Sequence, residues 1–143
     1  MNKILVVGGG AAGMMAAVTA ARNGKKVRLI EKNEKLGKKL FITGKGRCNI
    51  TNAADIEDLF SAVVSNPKFL YSSFYSMTND QVIDFFEELG VKTKVERGGR
   101  VFPESDHSSD VIRALEQEMK RLGIEIRLMA EAEEILAEDG RVT

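Results

Sequence analysis

The sequence of 143 residues has one cysteine, one histidine, two prolines and no tryptophan. A lone thiol, Cys48, cannot form an internal disulfide or a CxxC redox pair, and it favours a reducing compartment, so cytoplasmic localisation is expected. No uninterrupted apolar run reaches the roughly 18 residues that a membrane span needs. No small-residue cleavage site follows the N-terminal apolar segment either, so the chain reads as soluble, unprocessed and without a membrane partner. Neither sign of charge is in excess: 21 Lys+Arg meet 21 Asp+Glu, for a net +0 and a pI near 6.6. That balance excludes the globally basic character, pI above about 9, of a dedicated nucleic-acid binder, and no nucleic-acid partner is expected. No metal site is expected.

The charge that is present is segregated. Between Arg22 and Arg47 ten basic residues face only Glu31 and Glu34, a net +8, whereas from Cys48 onward 19 acidic residues outnumber 10 basic ones. Such a field can gather an anionic ligand beside the basic stretch; a solvated lysine-rich face is the plainer alternative.

Lys3 to Val7 is a short β-branched run ending at three glycines, the pattern of a parallel strand buried on both faces. Ala11 to Arg22 predicts a helix stopped by Asn23-Gly24, and Val27 to Ile30 a second buried strand. Together they make a βαβ unit. Lys32 to Asn52 reads as a loop of about twenty residues, a length that usually signals function. Asp55 is expected to cap a helix through Val63, Pro67 to open another, and Asn79 to cap Asp80 to Leu89, with Val82, Ile83, Phe85, Phe86 and Leu89 inward. Phe69, Tyr71, Phe74 and Tyr75 read as the packing side of a surface helix. Val91 to Glu96 and Arg100 to Phe102 form a hairpin about Arg97-Gly98-Gly99. Ser108 or Ser109 caps a helix to Leu122, and Ile124 to Leu128 is a third parallel strand. Ala130 to Ala137 reads as a strand entering a hairpin at Asp139-Gly140, of which only Arg141, Val142 and Thr143 remain, so a truncated or N-terminal piece of a longer polypeptide is expected.

Gly8-Gly9-Gly10-Ala11-Ala12-Gly13 fits G-x-G-x-x-G with a strand before it, a helix after it, and Glu31 at the end of the next strand, 18 residues beyond Gly13. Gly8 permits a sharp turn, Gly10 lets a pyrophosphate approach the backbone, and Gly13 lets the helix pack closely on the sheet. The helix N-terminus would stabilise the diphosphate. A carboxylate at Glu31 can accept from an adenosine ribose and would repel a 2′-phosphate, favouring FAD or NAD over NADP. The bland alternative is a tight turn with Glu31 a solvated strand end. A second patch, Thr43 to Asn52, is not a Walker A loop, because Lys39 stands where its first glycine belongs. Gly44, Gly46, Arg47, Asn49, Thr51 and Asn52 could line an anion-binding turn or a capped polar loop. His107 reads as a solvated or capping residue, and Cys48 as a small packing residue rather than a redox centre.

Three blocks, Gly8 to Gly13, Leu36-Gly37-Lys38-Lys39-Leu40 to Gly46-Arg47-Cys48-Asn49-Ile50-Thr51-Asn52, and Gly99-Arg100-Val101-Phe102-Pro103 with Ser105-Asp106, resemble the bacterial BaiN / aminoacetone-oxidase-like family of FAD-dependent oxidoreductases. The resemblance implies an α/β, Rossmann-like FAD/NAD(P)-binding domain of the glutathione-reductase kind, with a parallel sheet, a helical excursion and the start of a β-meander. Residues 1–143 would be the N-terminal part of that single domain, with an insert domain and a closing segment beyond. It places Gly8, Gly10, Ala12 and Gly13 at the FAD diphosphate and Glu31 on the ribose. Lys32 and Lys39 would border the nucleotide, and Gly44, Gly46, Arg47, Cys48 and Asn49 would run along the ribityl chain and ring.

The expected function is FAD-dependent oxidoreduction on a small-molecule substrate, with NAD(P)H a candidate electron donor and the isolated piece weakly flavin-binding and inactive. A simple NAD-dependent dehydrogenase and a non-catalytic module binding a nucleotide or polyanion are the alternatives. No residue is assigned to substrate or catalysis, and oligomeric state is left open.

Overall fold

The structure is a computed structural model and describes residues 3–139, 141 and 142. In chain order its elements are β1 (Lys3–Val7), α1 (Ala11–Arg22), β2 (Lys26–Ile30), α2 (Lys38–Ile42), β3 (Thr51–Asn52), α3 (Ile56–Ser61), α4 (Tyr71–Ser76) and α5 (Asn79–Glu88). There follow β4 (Thr93–Glu96), β5 (Arg100–Pro103), α6 (Ser108–Arg121), β6 (Glu125–Arg127), β7 (Ala137–Glu138) and β8 (Arg141–Val142). They divide into two compact units, one formed by the residues up to Lys38 together with those from Leu115 on, the other by Lys39–Ala114. No helix among the described residues is long and apolar enough to cross a membrane.

The first unit is the Rossmann-like part. β1, β2 and β6 form a parallel sheet in that order, with Ile4 opposite Val27 and Leu29 opposite Ile126. Its core is Met14, Ala17 and Val18 of α1, Val27 and Leu29 of β2, Leu115 and Met119 of α6, and Ile124. Each of the larger side chains contributes about 1.5–3 kcal/mol by leaving water. The helix α1 ends where the sequence requires: Gly24 takes a φ of 74°, and Gly24 and Lys25 donate to the carbonyls of Ala21 and Ala20. One expectation fails here. β1 is not buried on both faces, since Leu5 is 52% and Val7 58% exposed. β1 lies at the edge of this sheet, and only its alternate face, that of Val6, turns to α1.

The strand read across Ala130 to Ala137 shrinks to Ala137–Glu138, which pairs antiparallel with Arg141–Val142. Residues 130–136 are irregular because the backbone turns after β6. Met129 has a φ of 53°, and its N–H and that of Ala130 donate to the carbonyls of Asn33 and Glu31. Gly140 and Thr143, the expected turn and strand end, lie outside the described residues.

The second unit holds an antiparallel sheet ordered β3, β5, β4, so the segment read as a plain loop supplies α2, a single 3-10 turn and a sheet strand. Two expected helix caps differ. Thr78, not Asn79, caps α5: its hydroxyl accepts from Gln81 N–H at 3.2 Å, while the Gln81 side chain accepts from Thr78 N–H at 2.9 Å. Asn79 instead donates to the carbonyls of Asn52 and Ala54, both at 2.7 Å, tying α5 to β3. Ser108 lies inside α6 and donates to the Phe41 carbonyl at 2.7 Å, so it caps nothing. Asp55 stands at the cap of α3 without a side-chain hydrogen bond. Phe85 and Phe86 are core and meet edge to face at 5.1 Å. Phe60 gathers Tyr71, Phe74 and Tyr75 within 5.6 Å, but Phe69 is 77% exposed and is no part of that packing side.

Candidate functional site

The chain leaves β1 through Gly8, whose φ of 99° is closed to most side chains, and enters α1 with Gly10 as its N-cap residue. The first N–H turned back into the helix is that of Met14, which donates to the Gly10 carbonyl at 2.9 Å. The amides of Ala11, Ala12 and Gly13 therefore have no partner within the helix, and the first turn of this 12-residue helix carries no acid to compete for them. A Cβ on Gly10 would meet nothing within 4 Å, so the mouth of the turn is open. On Gly13 it would stand 1.9 Å from the Gly8 carbonyl oxygen, and on Gly9 2.3 Å from Leu36 Cδ2. Gly13 is required by packing against backbone, a side chain at Gly9 would displace Leu36, and Gly10 is the position where the fold needs no glycine.

Glu31 closes the turn from the end of β2. It is buried, and its carboxylate accepts from Gly9 N–H at 2.6 Å, from Asn33 N–H at 2.8 Å and from Asn33 Nδ2 at 2.6 Å. Those bonds, that from Asn33 N–H foremost and then that from Gly9, hold its carboxyl below the ordinary 4.5 against the opposing effect of burial. Oε1 takes both Asn33 donors while Oε2 takes one, leaving acceptor capacity on Oε2. Gly8, Gly10, Ala12, Gly13 and Glu31 are thus gathered at one turn. An open glycine mouth, unpaired helix amides and a fixed ionised acid fit an adenine nucleotide's diphosphate and ribose.

Sequence reasoning missed four contributors. Gly9, an unspecified position of the motif, supplies the N–H that anchors Glu31. Asn33 orients the carboxylate through two bonds, an Asx-type signal that its spacing from Glu31 carries. Leu36 and Gly37 return to the turn, with Gly37 N–H donating to the Gly9 carbonyl at 2.8 Å. Lys32 is exposed and lies 3.9 Å from Glu131.

Lys39, Gly44, Gly46, Arg47, Cys48 and Asn49 fall in the second unit. Lys39 is exposed on α2. Gly44, Lys45, Gly46 and Cys48 all adopt positive φ, from 57° to 85°. A Cβ on Gly44 would come within 3.0 Å of Asn49 N and 3.3 Å of the Phe102 ring, whereas above Gly46 the space is open. The Cys48 thiol is buried, and burial pushes its pKa up, as suits a packing residue. The Asn49 amide, oriented by its surroundings, donates to the carbonyls of Val101 and Thr51 at 3.2 and 3.0 Å. The Arg47 side chain is engaged by Glu96 and Asp106, a partnership across 49 and 59 residues that no local pattern announces. His107 is exposed, as expected.

Residues 2–143 match the family described as HI0933-like protein Rossmann domain. The chain is 38% identical over 128 residues to the 3-dehydro-bile acid delta(4,6)-reductase of Clostridium scindens, a match covering 88% of this chain and 31% of the relative. It is 28% identical over 131 residues to the ribosomal RNA dihydrouridine synthase of Haemophilus influenzae, covering 92% of this chain and 32% of that one. The chain therefore spans about a third of the length of these curated relatives. The crystal structure of Thermovibrio ammonificans THI4 superposes on 98% of this chain and 44% of its own with a TM-score of 0.65 at 13% identity, a likeness of fold.

Proposed function

The chain belongs to the family of HI0933-like protein Rossmann domains, and from that premise we propose that it is the part of an FAD-dependent oxidoreductase that holds the ADP half of FAD. The observation that carries this reading is the open turn over Gly10, with three unpartnered amides of α1 on one side and the anchored Glu31 carboxylate on the other. Gly8, Gly10, Ala12 and Gly13 would receive the diphosphate on backbone N–H groups, and Glu31 Oε2 the ribose hydroxyls, with Lys32 at the border. Lys39, Gly44, Gly46, Cys48 and Asn49 are proposed to serve the rest of the cofactor.

When bound, FAD supplies hydride or electron transfer at its ring, and the protein supplies placement and electrostatics. The reductase name of the Clostridium scindens relative supports redox chemistry over a non-catalytic module. NAD(P)H remains the proposed donor and a small molecule the proposed substrate. A second reading of the substrate, a base within RNA, is favoured by the Haemophilus influenzae relative's name.

The test is to purify the natural polypeptide that carries this sequence without added nucleotide, denature it and record the supernatant spectrum. A flavin band near about 450 nm is expected. Release of a nicotinamide cofactor in its place would contradict the reading.

A further inference from the structure

The turn of residues 43–49 holds an unfavourable backbone shape, with the Thr43 hydroxyl donating to the Leu40 carbonyl at 2.7 Å at its start. Lys45 and Cys48 are non-glycine residues at φ 59° and 60°, where a Cβ crowds the backbone. Across the turn, Cys48 N–H donates to the Thr43 carbonyl at 3.1 Å and Arg47 N–H to the Gly44 carbonyl at 3.2 Å, lengths at the weak end of the range. The Arg47 side chain ties the turn to residues far along the chain. Its Nε donates to Asp106 Oδ1 at 2.8 Å and its Nη1 to Glu96 Oε2 at 3.2 Å, and its Nη2 meets Glu96 Oε1 and, at 2.6 Å, Asp106. The guanidinium carbon lies 4.2 Å from the centroid of the Phe102 ring. Lys94 completes the group, 2.6 Å from Asp106 Oδ2 and 3.6 Å from Glu96, so two cations neutralise two carboxylates.

An arginine in this state is a poor ligand for an anion. Every nitrogen of its fork is already directed to a carboxylate, and both carboxylates would repel a phosphate brought near it. The sequence places Arg47 among cofactor ligands; its surroundings favour a different role. We infer that Arg47 is a positioning residue that touches neither cofactor nor substrate, and that the clamp it forms with Glu96, Asp106 and Phe102 holds residues 43–49 in their left-handed turn for flavin binding. This rests on the flavin reading above.

Clamp and ligand make opposite forecasts for the carboxylates. In the natural polypeptide, stripped of flavin and titrated with FAD, Arg47→Ala and the double variant Glu96→Gln/Asp106→Asn should each weaken FAD by about tenfold or more. The triple variant should lose no more than either, because all break one device. Arg47→Lys, which keeps the charge but lacks the fork, should fail to rescue. Hydrogen exchange at the Cys48 amide should accelerate about tenfold in every clamp variant, without flavin as with it; circular dichroism identifies a variant that has unfolded, and Asp106→Asn alone then serves as the milder probe. If Glu96→Gln/Asp106→Asn leaves FAD affinity intact or tightens it while Arg47→Ala weakens it, Arg47 is a ligand and the inference is wrong. Unchanged Cys48 exchange in all variants also overturns it. A wild-type polypeptide that takes up no FAD overturns the flavin reading instead, and the exchange data show separately whether the clamp exists.

Discussion

Gly13 and Gly8 touch so closely that a single methyl group on Gly13 would stand 1.9 Å from the Gly8 carbonyl oxygen. The obstacle is backbone, which cannot swing aside as a side chain would, so α1 would have to lift from the sheet. Gly13→Ala should therefore cost about 3 kcal/mol of stability, at the upper end for an overpacked contact. Urea unfolding measures it, and a loss below about 0.5 kcal/mol would mean that the helix does not pack this way.

The Glu31 carboxylate accepts from three donors, which hold its pKa below the ordinary 4.5, so it is ionised at neutral pH. A second negative charge beside it is unfavourable. ADP should bind at least about tenfold tighter than its 2′-phosphorylated analogue, a difference of about 1.4 kcal/mol. Glu31→Gln should shrink that preference and cost about 1–2 kcal/mol of stability, because an amide nitrogen would then oppose an N–H donor. Competition titration with the two nucleotides measures the preference; equal affinities in the wild type would contradict the role of Glu31.

Glu118, buried on α6, accepts from Arg121 at 2.7 and 2.8 Å and from Arg22 of α1 at 2.8 Å. These bonds, Arg121 foremost, lower its carboxyl from the ordinary 4.5 to about 2, against burial. The folded value is the depressed one, so the contribution is complete above about pH 5 and is lost as the pH falls from 4.5 toward 2. Discounted for screening at the exposed Arg121, it is worth about 2 kcal/mol. Glu118→Gln should lower stability by that amount at pH 7 and by almost nothing at pH 2, measured by urea unfolding at both. An equal loss at both pH values would assign the effect to packing.

How far the sequence reached follows from which interactions are local. The first strand, helix and strand were legible because glycines, Asn23-Gly24 and short β-branched runs act over a few residues, and the acid at Glu31 follows from the same unit. What escaped depends on distant partners. β3 exists because Thr51 and Asn52 pair with Val101 and Arg100, and Arg47 is spoken for by residues beyond Lys94. Exposure of β1 escaped for a related reason, since a run of Ile, Leu and Val records that a strand can be buried, not which neighbours cover it. The capping errors at Asn79 and Ser108 share a cause: each polar side chain found a carbonyl elsewhere in the fold.

The central claim is that the open mouth over Gly10 receives a nucleotide diphosphate. Gly10 has an extended φ of −80° and ψ of −175°, which any residue adopts, and its added Cβ would meet nothing within 4 Å. Gly10→Ala should leave unfolding within about 0.5 kcal/mol of the wild type while filling the space a phosphate needs. Calorimetric titration of the wild type and Gly10→Ala with ADP decides the matter. The account predicts an affinity at least about tenfold weaker in the variant, near 1.4 kcal/mol, and two equal dissociation constants would contradict it.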